Sequence, residues 1–434
     1  MVISPRKFSG IVKVPPSKSH TIRQIFIASL ADGVSQINNP LDSLDTRSCI
    51  CACRSLGAEI TEYYDDDTLS ENEKKLSYLK IEGNCNFKKP VLCNKINAGN
   101  SGTTLFFALA VASLQKEPVF FTGDAQLQKR SASPLLDALC GLGAEVKSAG
   151  GCVPITVKGA LKGGNVILPC ETSQYLSALL IACPLTAAGC VTEIKVPLLN
   201  ERPYIGMTLS YLDKQCIPYK RECDYSRFTI PGGSSWNAFN SAVTGDFSSA
   251  AFPAAAAAIT GGEITLTGLD PNDTQGDKYF FSLLEEMGCE IKWDGFSVTV
   301  SRSGKLRGGT FDLNDTPDLF PAAAAVAAFA NGDTSLVNVS HARLKETDRI
   351  AVMAQELQKL GVNSTLLNDG LKIHGKGKVS FNDTAALDGK NDHRIIMALS
   401  VAALGCRVPV KIINSGNTSV SYPGFFDILK NINT

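Results

Sequence analysis

The sequence predicts a two-domain α/β protein turned inside out, with apolar helices at the centre of each domain and sheets around them. Three observations carry this. A short polar signal, an apolar small-residue helix and a strand recur in order roughly every 70–80 residues, six times along the chain. The first helix of each unit is apolar nearly all round, which suits burial on every side. The strands alternate apolar and polar residues, as in FSVTVSRSG and LKIHGKG, so they need only one buried face. A chain of 434 residues is too long for one ordinary core, and three units per domain accounts for its length.

The six units are SKSHTIRQIFIASLADGVSQI, NSGTTLFFALAVASLQKEPVFFTG, TSQYLSALLIACPLTAAGCVTEI, DFSSAAFPAAAAAITGGEITLTG, TPDLFPAAAAVAAFANGDTSLVNV and DHRIIMALSVAALGCRVPVKII. Most are followed by a second helix that stops in a related way, at Leu56-Gly57, Leu142-Gly143, Met287-Gly288 and Leu360-Gly361. Glycine at that point fits a left-handed C-cap. Pro253 and Pro321 are expected near the starts of their helices, where a missing N–H is harmless. The chain is expected to cross between domains near residues 17 and 243. That gives one discontinuous domain of residues 1–16 and 243–434, with units four to six, and one of 17–242, with units one to three. The insert from Tyr63 to Lys75, rich in Asp and Glu, reads as a solvated loop between strands.

Lys plus Arg and Asp plus Glu both number 42, so the formal net charge is zero. No broad field favours nucleic acid or an acidic membrane surface. An anion site must be a local concentration of charge. The N-terminal MVISPRKFSG lacks the long apolar core of a signal peptide, and the longest apolar runs are too short to span a bilayer. The 14 cysteines contain no C-x-x-C pair; Cys49, Cys51 and Cys53 read as small core residues of a helix in a reducing cytoplasm. The four histidines contain no H-E-x-x-H pair, so no metal site is expected.

If the central helices run parallel, their positive ends gather at one end of each domain. The residues there are Lys18 and Ser19; Asn100, Ser101 and Thr103; Thr172, Ser173 and Gln174; Asp246; Asp318; and His393 and Arg394. Unpartnered N–H groups at helix starts already attract anions, and Lys18 and Arg23 add cations to the first. Domains facing each other by those ends would make a cleft that traps anions and expels water on closure. The stretch HARLKETDRI places Lys345, Glu346 and Arg349 in one segment. It is expected to open a helix, with Glu346 near its first turn and Lys345 and Arg349 on one face. GDAQLQKR adds Arg130 after a strand. NAGNSGTT lacks the Gly-Lys-Ser/Thr ending of a nucleotide-hydrolysing phosphate loop.

In order, PSKSHTIR, NSGTT, GDAQLQKR, TSQY, ERPY, TPD, LKETDR, NDHR and SYPGF resemble the motifs of the 5-enolpyruvylshikimate-3-phosphate synthases, the 3-phosphoshikimate 1-carboxyvinyltransferases. The resemblance spans nearly the whole chain. It implies six βαβαββ units in a two-domain inside-out fold. It also implies a reaction in which phosphoenolpyruvate and shikimate 3-phosphate give an enolpyruvyl ether and phosphate, on the route to chorismate and aromatic amino acids. No metal or organic cofactor is implied, and a cytoplasmic monomer is expected.

Carried over by motif, Lys18, Arg130 and Gln174 hold the phosphoenolpyruvate phosphate, with Gly102 leaving room beside it. Arg349 and Arg394 hold its carboxylate, for which forked planar donors suit best. Ser19 and Arg23 meet the carboxylate end of shikimate 3-phosphate. Thr172, Ser173 and Lys345 meet its phosphate, with Gln174 and Tyr204 near the ring. Asp318 takes the proton of the 5-hydroxyl, and Glu346 and Lys18 handle protons at the methylene and the leaving phosphate. The chemistry independently requires a base near the hydroxyl, an acid near the methylene and cations around the departing phosphate.

Some positions depart from the family pattern. Phe106 and Val420 stand where Arg and Lys are usual. Glu201 replaces a small polar residue, Ser131 a Pro and His341 an Asn. Phe106, Val420 and Glu201 favour, as an alternative, a homologue that binds shikimate 3-phosphate but has weakened catalysis. A second alternative is the sister transferase acting on UDP-N-acetylglucosamine. That family pairs its early Lys with Asn and carries a loop Cys, whereas here Ser19 follows Lys18 and GDAQLQKR has no Cys.

Overall fold

A computed structural model describes residues 1–65, 75–379 and 386–432. The insert read as a solvated loop lies mostly outside the described residues. The chain divides into two compact units, a continuous one of Lys18–Val243 and a split one of Met1–Ser17 with Thr244–Thr434.

Twelve α-helices are present among the described residues. The continuous unit holds α1 (Lys18–Leu30), α2 (Leu44–Ser55), α3 (Gly102–Ala112), α4 (Ser133–Gly141), α5 (Gln174–Ala182) and α6 (Arg202–Lys214). The split unit holds α7 (Phe247–Thr260), α8 (Tyr279–Glu286), α9 (Phe320–Ala327), α10 (Arg349–Lys359), α11 (His393–Leu404) and α12 (Phe425–Asn431). The first helix of each repeat is α1, α3, α5, α7, α9 and α11. Every residue of α9 and α11 is buried, and α3, α5 and α7 each spare a single residue in an end turn. Alanine dominates α7 and α9 because small side chains let neighbouring backbones approach closely. The alternate helices, such as α2, α8 and α10, bury only one stripe, as the amphipathic pattern requires.

The sheets repeat one strand arrangement, a parallel pair followed by antiparallel neighbours. In the continuous unit, Asn240–Ala242 lies parallel to Val34–Asn38, which is antiparallel to Lys75–Glu82, which is antiparallel to Glu59–Asp65. The same order recurs with Lys95–Asn97, Val119–Thr122, Cys152–Lys158 and Glu145–Ala149. It recurs again with Gly164–Ile167, Val191–Lys195, Arg227–Pro231 and Lys220–Arg221. The split unit follows suit: Gly10–Lys13 pairs in parallel with Glu263–Thr267, and Val2–Ile3 closes the sheet of Ala386–Asp388 and Val410–Ile413. Along Glu263–Thr267 buried residues alternate with more exposed ones, so apolar side chains face the helices. Each unit is thus an inside-out α/β assembly with its own core.

Gly57, Gly143, Gly288 and Gly361 have φ of 97°, 104°, 101° and 76°, the conformation expected just past the second helices. In the third repeat Cys216 takes that position, at φ 53°. Two local expectations are corrected. Pro321 is the second residue of α9, but Pro253 lies well inside α7. The reason is that Asp246 caps α7 by accepting from the Ser248 N–H, which starts the helix early. Cys49 and Cys53 are core residues, but Cys51 points from the same helix to solvent. Burial pushes the Cys49 thiol well above its usual pKa. Among the described residues no helix is long and apolar enough to cross a membrane, and no group of three or more His, Cys, Asp or Glu could hold a metal.

Candidate active site

In the split unit the polar starts of the central helices converge on Arg349. This residue opens α10 and is 1 % exposed, yet its guanidinium meets three carboxylates. Nη1 donates to Asp318 Oδ1 at 2.7 Å, Nη2 to Glu346 Oε2 at 2.5 Å, and Nε to Asp392 Oδ2 at 2.8 Å. Burial alone would lower the pKa of Arg349, but Asp392, Glu346 and Asp318 hold it well above the usual value. Asp318 sits in the 3-10 turn Pro317–Leu319 just ahead of α9. Its second oxygen lies 2.9 Å from Arg394 Nη2. Arg394, the second residue of α11, also donates to the Ser248 hydroxyl at the start of α7. So the first turns of α7, α10 and α11 and the turn leading into α9 meet through two arginines and their carboxylates.

Asp392 was absent from the residues that sequence pointed to. It is fully buried and does two jobs. It caps α11, accepting from the Arg394 N–H at 2.9 Å, and it grips Arg349 and the Thr347 hydroxyl. Its signal was local, an Asp immediately before an apolar helix. The expectation for LKETDR needs correcting. α10 begins at Arg349 with Asp348 as its cap, so Lys345 and Glu346 lie in the loop before the helix. The Asp348 carboxylate accepts from the Ala351 N–H, which sets the start four residues after Lys345. Lys345 and Arg349 therefore do not share a helix face. Glu346 reaches Arg349 from the loop.

In the continuous unit, Lys18 and Ser19 are the first two residues of α1. Lys18 Nζ lies 3.1 Å from Asp45 Oδ2, in the first turn of α2. Arg23, one turn further on, is fully buried. It donates to the Thr208 hydroxyl at 2.9 Å, the Ser177 hydroxyl at 3.3 Å, the Ser19 carbonyl at 3.2 Å and the Tyr204 carbonyl at 3.2 Å. Burial pulls its pKa down to about 10, against the pull of Tyr211, Tyr204 and Glu201. The structure thereby joins Ser19, Arg23 and Tyr204 in one network.

Arg130 is placed by its neighbours. A Cβ built on Gly102 would lie 2.6 Å from Arg130 Nη2, so the guanidinium lies over the start of α3 only because residue 102 has no side chain. Gln174 Nε2 donates to the Thr103 hydroxyl at 2.9 Å, and its buried Oε1 has no partner. Tyr175 donates to the Ser131 carbonyl at 2.7 Å and packs its ring edge-on against Phe106 at 4.9 Å. Tyr175 thus braces the residue after Arg130. Thr172 and Ser173, just ahead of α5, both donate to Glu201 Oε2, at 3.1 and 2.7 Å. The Ser173 N–H donates to the same oxygen at 3.1 Å.

A sequence model described as EPSP synthase (3-phosphoshikimate 1-carboxyvinyltransferase) matches residues 2–429. The chain belongs to the EPSP synthase family. It is 44 % identical to a 3-phosphoshikimate 1-carboxyvinyltransferase of Acetivibrio thermocellus over 98 % of this chain and 96 % of that one. It is 42 % identical to one from Ruminiclostridium cellulolyticum, over 97 % and 96 %. A solved EPSP synthase from Acinetobacter baumannii superposes with a TM-score of 0.80 at 28 % identity, covering 99 % of this chain and 97 % of that one.

Within the EPSP synthase pattern, the departures at 106 and 131 have local reasons. Phe106 is 1 % exposed and fills the space against Tyr175. The Ser131 hydroxyl accepts from the Ser133 N–H at the entry of α4. His341 is buried in the 3-10 turn Ser340–Leu344. Val420 closes the 3-10 turn Ser415–Val420 and is half-buried; nothing in the structure explains the exchange there.

Proposed function

We infer that this chain transfers the enolpyruvyl group of phosphoenolpyruvate to the 5-hydroxyl of shikimate 3-phosphate, with the residues above in the roles their motifs imply. The observation that carries the reading beyond family membership is the Asp318–Arg349–Glu346 cluster with Arg394. It offers two forked cations for a carboxylate and two carboxylates for proton transfer within one network.

The oxygen of the 5-hydroxyl attacks C2 of phosphoenolpyruvate. Asp318 takes its proton while Glu346 delivers one to C3, giving a tetrahedral intermediate. The C2–O bond to phosphate then breaks and C3 loses a proton, with Lys18 and Arg130 neutralising the departing phosphate. Without substrate, both Asp318 oxygens face arginines, Oδ1 toward Arg349 and Oδ2 toward Arg394. A substrate carboxylate held by Arg349 and Arg394 competes with Asp318 for the same guanidinium donors. Ser19, Arg23, Tyr204, Thr172, Ser173 and Lys345 serve shikimate 3-phosphate; Gly102, Gln174 and Arg130 serve phosphoenolpyruvate. No metal or organic cofactor takes part, and the chain acts as a cytoplasmic monomer.

The test is phosphate release from phosphoenolpyruvate with and without shikimate 3-phosphate. Release that depends on both supports the reading; none from folded protein overturns it. Glu201 favours one second reading, a binding protein with weakened catalysis. Calorimetry separates the two: that reading expects shikimate 3-phosphate to bind and phosphoenolpyruvate not to follow.

A further inference from the structure

Glu201 departs from the family pattern, and its side chain engages residues assigned to a substrate. It is 2 % exposed and held at φ 60°, ψ 43° at the start of α6, a left-handed conformation unusual for glutamate. Its side chain caps nothing on α6. The carboxylate is aimed instead at the entry of α5, where one oxygen takes the Thr172 hydroxyl, the Ser173 hydroxyl and the Ser173 N–H. The backbone fixes this approach. A parallel bridge joins Cys170 to Leu199, the Asn200 N–H donates to the Cys170 carbonyl at 3.1 Å, and the Asn200 side chain donates to the Glu171 carbonyl at 3.2 Å.

These are anion donors already satisfied by an anion. A phosphate monoester needs the same hydroxyls and N–H. It cannot share them with a carboxylate without strong like-charge repulsion in a site of low dielectric. We propose that Glu201 is an internal competitor for the phosphate-recognition donors, so that shikimate 3-phosphate binds by displacing its carboxylate from Thr172 and Ser173. Glu201 is then a specificity-determining residue that weakens binding of the phosphate and screens out small free anions such as inorganic phosphate. This rests on the assignment of Thr172 and Ser173 to the substrate's phosphate.

Calorimetry with shikimate 3-phosphate, and with inorganic phosphate as a competing probe, tests it on the unmodified chain, Glu201→Gln and Glu201→Asp. Gln removes the charge; Asp keeps it but shortens its reach to the three donors. Both variants are expected to bind shikimate 3-phosphate at least about fivefold more tightly and to admit inorganic phosphate as a stronger competitor, with the Michaelis constant for phosphoenolpyruvate unmoved. Binding that is unchanged or weaker in a variant melting like the parent overturns the proposal, and shows Glu201 to be a brace for Thr172 and Ser173. Glu201→Asp keeps the test alive if the Gln variant does not fold. Turnover of the unmodified chain is measured alongside. Its absence, with no binding of shikimate 3-phosphate, overturns the parent assignment; turnover with unmoved binding overturns this proposal alone.

Discussion

At the scale of single residues, Arg349 shows how much a buried guanidinium can organise. Lysine in its place keeps the charge but cannot meet three carboxylates with a planar fork. Arg349→Lys is expected to raise the Michaelis constant for phosphoenolpyruvate about ten- to a hundredfold, the loss of one or two charge-assisted contacts. Arg349→Ala leaves Asp318, Glu346 and Asp392 facing one another and should cost about 3–5 kcal/mol in denaturant melts. Gly102→Ala pushes on the tip of a flexible side chain, Arg130, rather than on backbone. Its stability cost should be under about 1 kcal/mol, while the Michaelis constant for phosphoenolpyruvate rises about tenfold and that for shikimate 3-phosphate changes little. Val420→Lys restores the usual cation and should lower the Michaelis constant for phosphoenolpyruvate. An unchanged value would place that side chain away from the substrate. Motifs in the sequence pointed to Lys18, Arg130, Asp318, Arg349 and Arg394. The sequence could not reveal that Arg349 is already engaged, because Asp318 and Asp392 are 31 and 43 positions away along the chain. Nor could it reveal that Glu201 turns toward Thr172, since that depends on the bridge between Cys170 and Leu199.

At the scale of elements, the six buried helices were legible because alanine, leucine and isoleucine on every face leave a helix no solvent side. Four of their companions were legible through glycine just past the last turn. The strands were harder to read. Several have only two to four residues, too few for alternation to declare itself, as in Asn240–Ala242 and Lys220–Arg221. Helix starts were the least legible: α10 was expected several residues early because Glu346 reads like a first-turn carboxylate, whereas Asp348 makes the cap. The exception in the third repeat yields a prediction. Cys216 holds a left-handed φ of 53° where the first, second, fourth and fifth repeats have glycine. Cys216→Gly is expected to stabilise the chain by about 0.5–1 kcal/mol, and Gly288→Ala to destabilise it by at least as much, both read from denaturant midpoints. A Cys216→Gly chain that is less stable than its parent would show that the thiol packs usefully there.

At the scale of the whole molecule, the path of the chain explains why one unit is continuous and the other split. Val2–Ile3 and Gly10–Lys13 close two sheets of the split unit before the chain enters α1, and Asn240–Ala242 closes a sheet of the continuous unit before it leaves. Residues 18–243 hold every strand of their own sheets and a complete core. Expressed alone, they are expected to fold and to melt cooperatively by near-ultraviolet circular dichroism. A fragment with helical signal but no cooperative transition would contradict this. The split unit has no such continuous piece, and deleting residues 1–13 should leave it without two edge pairings and markedly less stable.

The central claim is that the helix-start residues named above bind phosphoenolpyruvate and shikimate 3-phosphate. A crystal structure with shikimate 3-phosphate and phosphoenolpyruvate bound tests it most directly. The expected result has the phosphoenolpyruvate carboxylate on Arg349 and Arg394, the shikimate phosphate on Thr172 and Ser173 with Glu201 turned away, and Asp318 beside the 5-hydroxyl. Ligands lying away from Arg349 and Ser173 would contradict the account.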